Sequence, residues 1–419
     1  MDYLRLRKGL IISMNLFIFG ANWYNHGDES AIRSMIDEIR EIYPKSTIKI
    51  EFNQSGVCIP YRDIEVISGF TIPAKRRRFI DYLKYEYSVF TNWKHVLLDP
   101  TNYNKYLAFI NAVQWCDYAI YAPGGPSFGD IYKQYYLVEM MHILHRYNKQ
   151  YFFYAPSMGP FTKNRKRIKS ALENSDFICL RESISKKYLR DLGVEKEAVV
   201  TLDSAFQHPF DANIERTKLD KYPGLENFIS DAKCVGITIT DLRWHDNKRM
   251  FDREKRIKES FEYLVKYLCD HGYRVLFIPQ LFGKDNDAEY MKKFAINDCC
   301  QIVSQDEDCY FQQFVISKLY AVVGMRYHSN IFSAKEGTPF VSVAYEQKMS
   351  GFMDKAGLSQ YCLSINDLNS ENLLEKFKLL EEHYDEYKAD LNKKREDFIA
   401  ESHKTTEKLF ERFQVHGLV

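Results

Sequence analysis

A chain of 419 residues exceeds what one hydrophobic core ordinarily supports and points to two domains of about 150 to 200 residues each. Its 45% hydrophobic and 27% charged residues exclude a disordered chain. The 58 Lys plus Arg against 57 Asp plus Glu leave no global field for nucleic acid, so any anionic ligand must be held by a local cluster.

The chain opens on an apolar stretch, Leu10 to Phe19, broken by Ser13 and Asn15. It falls short of the roughly 20 residues that span a bilayer and has no small-residue cleavage site, so it reads as a buried first strand of a cytoplasmic protein. Gly20 ends that strand, a loop carries Asn25, Gly27 and Asp28, and Ile32, Met35, Ile36 and Ile39 follow at helical spacing. Ile48 to Phe52 is a second strand. From Ser55 to Tyr106 the chain is aromatic and basic, with a cationic run at Lys75 to Arg78 and no clean period. Tyr118 to Tyr121 reads as a strand broken by Pro123, Gly124 and Gly125. A helical pattern with Ile131, Tyr135, Leu137 and Met141 comes next, then strands at Tyr151 to Tyr154, Phe177 to Leu180 and Val199 to Leu202, with a helix from Ser183 to Leu192.

A polar stretch, Phe210 to Ala232, reads as the interdomain linker. Beyond it the alternation repeats: strands at Val235 to Thr240, Arg274 to Ile278, Ala321 to Val323 and Phe340 to Val343, and helices at Arg256 to Cys269 and Asp287 to Phe294. Alternating strands and helices imply a parallel sheet covered by helices. The fold expected is therefore α/β, with two Rossmann-like doubly wound domains facing a cleft. Residues 1–209 form the N-terminal domain, residues 233–369 the C-terminal domain, and residues 370–419 form closing helices that brace them.

In open parallel sheets, ligands sit at the carboxyl ends of strands. The most informative such loop is Gly324-Met325-Arg326-Tyr327-His328-Ser329-Asn330, followed by Gly337, Pro339, a strand and Tyr345-Glu346-Gln347-Lys348. A guanidinium, an imidazole and an ammonium beside a helix amino terminus suit an anion, and the imidazole can supply it a proton. The plainer alternative makes Arg326 a carboxylate partner and His328 a structural hydrogen-bonder. Arg243 and Arg181 each follow a strand, and each reads equally as a salt-bridge partner. Asp28 can take a proton from a hydroxyl or cap its helix, and Gly124-Gly125 can approach a ligand closely or merely turn. No G-x-G-x-x-G, Walker lysine or H-E-x-x-H is present, so NAD, ATP and metal are not expected, and a serine nucleophile is not expected either. Nine scattered cysteines without C-x-x-C spacing suggest reduced thiols. The 30 Tyr and 29 Phe fill cores or line a sugar site.

Gly324 to Met353, with its Arg-x-His, Gly-x-Pro and Tyr-x-x-Lys-x-x-x-Phe-Met elements, resembles the carboxyl-terminal signature of the polysaccharide pyruvyltransferase family. Asn25-His26-Gly27-Asp28-Glu29, Gly124-Gly125, Met158-Gly159-Pro160, Arg181-Glu182-Ser183 and Asp203-Ser204-Ala205-Phe206 resemble its other blocks, in the family's order. Pro126 stands where a third glycine is usual, and Ser204 where a proline is common.

The resemblance implies a fold similar to B-type glycosyltransferases. It also implies phosphoenolpyruvate as co-substrate with no further cofactor, and transfer of its pyruvate as a ketal onto a sugar of a surface polysaccharide or of its lipid-linked precursor. Arg326, Arg243, Lys348 and Arg181 are then donor-binding, His328 the general acid, Asp28 a catalytic partner, and Asn25, Gly124 and Gly125 acceptor-binding. A nucleotide-sugar glycosyltransferase of the same architecture is the alternative. If the sugar rides on a polyprenyl diphosphate, the protein works at the inner face of the cytoplasmic membrane, held by its substrate or by a patch such as Phe70 to Tyr87.

Overall fold

The computed structural model describes residues 13–71, 100–131, 136–242, 250–283 and 286–418. The chain divides into two units. Unit 1 comprises Met1–Trp23, Met35–Thr201 and Lys404–Val419; unit 2 comprises Tyr24–Ser34 and Leu202–His403.

In unit 1 the apolar runs become strands covered on both faces, as parallel sheets require. These are β1 (Asn15–Ala21), β2 (Thr47–Phe52), β3 (Glu65–Ser68), β4 (Tyr118–Tyr121), β5 (Gly124–Phe128), β6 (Tyr151–Phe153), β7 (Pro156–Met158), β8 (Phe177–Leu180) and β9 (Ala198–Val200). Seven of them make one sheet in the order β3-β2-β1-β4-β6-β8-β9, while β5 pairs with β7 apart from it. The sheet is parallel throughout, with Leu16 in register with both Ile48 and Tyr118. Strand order reverses between β1 and β4, the doubly wound arrangement. Phe17, Phe19, Tyr121, Phe128 and Phe153 fill its core together with the helix Pro100–Trp115, so part of the aromatic surplus is packing.

Unit 2 repeats the plan with β10 (Cys234–Thr238), β11 (Arg274–Phe277), β12 (Cys300–Ile302), β13 (Ala321–Gly324), β14 (Phe340–Ala344) and β15 (Cys362–Ser364). Their order is β12-β11-β10-β13-β14-β15, all parallel, with the reversal between β10 and β13. Two edge strands, β12 and β15, escape sequence reading because each is only three residues long and incompletely buried.

Three further expectations change. The polar stretch after Phe210 contains helices Ala212–Leu219 and Leu225–Ser230, whose Leu219, Leu225, Phe228 and Ile229 enter the unit 2 core. The helix expected from Asp287 shrinks to Ala288–Met291. Cys269, at the end of helix Met250–Asp270, is joined to Cys299 in a disulfide, with the Cys300 sulfur 3.9 Å from that of Cys269. Thirty residues of sequence hide this pairing, which the helix-to-strand return creates. Among the described residues no helix is long and apolar enough to cross a membrane.

Candidate functional site

The reversal between β10 and β13 leaves a crevice at the strands' carboxyl ends, where open α/β sheets take their ligands. Thr238, the last residue of β10, builds it. Its hydroxyl pairs with Ser329 Oγ at 2.8 Å and accepts the backbone N–H groups of Met325 and Arg326. Those contacts set the turn from β13 into the helix Tyr327–Glu336, whose amino terminus has no side-chain cap. The next strand, β14, likewise leads into helix Gln347–Lys355, also without a side-chain cap. Two helix amino termini with backbone donors thus lie at the ends of adjacent strands, the geometry that favours an anion.

The cations expected here already have partners. Arg326 is buried and donates from Nε and Nη2 to the two oxygens of Asp287, the Nε contact being 3.1 Å. The same carboxylate accepts the N–H groups of Gln280 at 3.1 Å and Leu281 at 2.9 Å. Lys348 Nζ lies 2.8 Å from Glu346 Oε2. Burial pushes the Tyr345 phenol well up, Glu346 adds to this and Arg326 opposes it, so the hydroxyl remains a neutral donor.

His328 differs. It is 5% exposed, its Nε2 has no hydrogen-bond partner, and Asp203 Oδ2 lies 3.6 Å away. On the ring's other side, a β-carbon placed on Gly27 would fall 1.8 Å from Nδ1, so only glycine fits beside this histidine. Gly27 is held there by its neighbours. The His26 N–H donates to Gln280 O at 2.9 Å, and Asn25 pairs with Leu281 in a short antiparallel bridge. Asn25 Oδ1 accepts the Gly27 N–H, and Asp28 lies in the first turn of helix His26–Ile42. Asn25 and Asp28 therefore share a unit with His328.

Around this group runs a partly buried ionic lattice. Arg33 reaches Glu29 at 3.1 Å and Asp308 at 2.9 Å, and Lys218 reaches Glu215 and Asp308, each at 2.9 Å. His26 has both ring nitrogens engaged, by Glu29 and by Gln305 O.

The other expected residues sit elsewhere. Arg181, 1% exposed in unit 1, donates to Ser157 Oγ at 2.8 Å and Gly125 O at 3.2 Å, fastening β7 to β5. Gly124 and Gly125, with φ of 117° and 103°, begin β5. Arg243 lies outside the described residues; just ahead of it, Leu242 takes a left-handed φ of 54°, a strain that tends to collect at functional sites. The patch Phe70 to Tyr87 lies outside them beyond Thr71. Sequence reading assigned no role to Asp203, Asp287 or Glu346. Asp203 belonged to a family-like block, whereas nothing in the sequence marks Asp287.

Comparison with known proteins settles the family. A model of polysaccharide pyruvyl transferase matches residues 25–347, most of the chain. The chain belongs to that family. A relative, the amylovoran biosynthesis protein AmsJ of Erwinia amylovora, is 24% identical over 284 residues, covering 64% of this pyruvyl transferase family member and 66% of AmsJ. The match thus spans just under two thirds of that relative's length. Similar solved structures include the UDP-GlcNAc 2-epimerase of Neisseria meningitidis, with TM-score 0.54, 13% identity and 96% and 100% of the two chains covered. A UGT transferase of Siraitia grosvenorii in complex with UDP gives TM-score 0.55 at 10% identity, over 96% and 100%. At such identities the likeness is one of fold. This pyruvyl transferase family member shares the α/β architecture of two Rossmann-like units found in B-type glycosyltransferases and related epimerases.

Proposed function

We propose that this family member transfers pyruvate from phosphoenolpyruvate to a sugar of a surface polysaccharide or its precursor, forming a pyruvate ketal and releasing phosphate. The observation that carries the reading is the β10–β13 crevice, where two helix amino termini without side-chain caps flank a buried histidine with an unpartnered ring nitrogen. Phosphoenolpyruvate carries a phosphate and a carboxylate on three carbons, and two adjacent anion-favouring termini match two adjacent anionic groups. AmsJ, by its name, serves amylovoran biosynthesis, which agrees with a polysaccharide acceptor.

In this reading protonated His328 gives a proton to the methylene C3. The C2=C3 electron pair forms the new C–H bond, and C2 becomes oxocarbenium-like. An acceptor hydroxyl adds to C2 and passes its proton to the imidazole. Phosphate then leaves with its C–O electron pair, and a second hydroxyl closes the ketal and gives up its proton. Asp28, in the same unit, is the candidate to receive a hydroxyl proton. Lys348 and Arg243 complete the donor set, with Arg326 holding the crevice in shape through Asp287.

Calorimetry tests the donor. Phosphoenolpyruvate should bind the wild-type chain one to one and bind His328→Ala about tenfold more weakly, roughly 1.4 kcal/mol for one lost charge-assisted contact. UDP-N-acetylglucosamine should give no heat. Silence from phosphoenolpyruvate beside clear nucleotide-sugar binding would replace this reading with a glycosyltransferase of the same architecture.

A further inference from the structure

His328 cannot act as a proton carrier unless its ring is held in one orientation and one protonation pattern, and neither of its nitrogens has a hydrogen bond among the described residues. Asp203 lies within ion-pair distance of Nε2. Its two oxygens have different surroundings. Oδ1 accepts the Ala205 N–H at 2.9 Å and caps the short 3-10 helix Ser204–Phe206, whereas Oδ2 lies 3.6 Å from His328 Nε2. Asp203 is 1% exposed, so that charge has little water around it.

The segment that carries Asp203 is anchored on two sides. Ser204 Oγ donates to Ala31 O at 3.0 Å, from the helix that begins beside Gly27, and Lys335 Nζ donates to Ala205 O at 2.9 Å and to His208 O. Lys335 also lies in the helix that begins beside His328, so one rigid element positions both partners. At 3.6 Å the contact is longer than a hydrogen bond, but such bonds are often long in ligand-free sites and tighten when an anion draws the charged imidazole into place.

We propose that Asp203 is the positioning residue of His328. Its Oδ2 accepts a hydrogen bond from Nε2–H and stabilises the imidazolium, leaving Nδ1, the nitrogen beside Gly27, as the one that delivers a proton to the substrate. This assignment of Nδ1 rests on the proposed pyruvyl transfer, whereas the pairing of Asp203 with Nε2 does not.

The test reads the histidine directly. In the full chain with 15N-labelled histidine, at about pH 8.5, two units above the ordinary imidazole value, long-range 1H–15N spectra report which nitrogen carries the proton. The wild type should show the Nε2–H tautomer at His328. Asp203→Asn keeps the cap, because asparagine caps as well as aspartate. It also turns an amide N–H toward Nε2, so the ring should switch to Nδ1–H. Phosphoenolpyruvate affinity, read by calorimetry, should stay within about threefold of wild type.

A wild-type Nδ1–H tautomer overturns the proposal even if the variant does not fold. So does an unchanged tautomer in a folded Asp203→Asn. Loss of phosphoenolpyruvate binding in the wild type, with the tautomers as expected, would instead sink the donor assignment and leave the pair standing.

Discussion

Glu51, fully buried in β2, ties stability to pH through a single carboxyl. Burial pushes its carboxyl up to about 7, and the N–H of Gly20, donated to Oε2 at 2.7 Å, only partly offsets this. A carboxyl raised on folding binds its proton more tightly in the folded state. Its stabilising effect is therefore complete below the unfolded value near 4.5 and is lost as pH rises through about 7. Glu51→Gln should accordingly stabilise the chain at pH 8 by up to about 3 kcal/mol and change little at pH 4, read by chemical denaturation at both values.

Arg326 makes the opposite case. Replaced by alanine, it leaves Asp287 buried with its charge uncompensated, at a cost of about 3 to 5 kcal/mol. Arg326→Ala should therefore unfold at lower denaturant than His328→Ala, so lost ligand binding in it would not by itself identify a ligand contact. Arg-x-His was legible in the sequence as a cation and a proton carrier at a strand end. The carboxylate facing each was not, because Asp203 and Asp287 come from segments 125 and 39 residues away in the chain.

At the scale of elements, the first turn of the helix His26–Ile42 carries Gly27, where the His328 ring occupies the space a side chain would need. Gly27→Ala should cost about 1 to 3 kcal/mol of stability by overpacking and displace the ring. The displacement is checked by the His328 resonances, which should move where those of a distant histidine such as His271 do not. The helix Tyr327–Glu336 ends as its sequence predicts, with Gly337 in the left-handed region at φ 72°. A β-carbon there would meet Asn392 Oδ1 at 2.2 Å. Strand periodicity made β1, β4, β10, β13 and β14 readable, since each is a short apolar run between turn residues. The edge strands β12 and β15 were not, because a strand paired on one side can dispense with that apolar signal.

For the molecule as a whole, the ion pairs around Asp308 add a limit on the acid side to the one that Glu51 sets on the alkaline side. Burial by itself would raise the carboxyl of Asp308, but the Arg33 guanidinium and then Lys218 more than compensate and hold it down to about 2. A depressed carboxyl contributes stability above its unfolded value of 3.8 and loses it as pH falls toward 2. Asp308→Asn should remove about 2 kcal/mol at pH 7 and flatten the acid limb of a stability profile between pH 4 and 2.

Short blocks in a fixed order mark the family in the sequence alone. The sequence also determined the two-fold repetition of a parallel α/β sheet, because burial on both faces writes continuous apolar runs into each strand. Folding in three dimensions settles which charges neutralise one another, that Gly27 lies beside His328, and that Arg181 is tied to β5 and β7. These pairings depend on strand order, which sets Thr238, the end of β10, in register with Gly324, the end of β13, far along the chain. Local periodicity carries no record of that order.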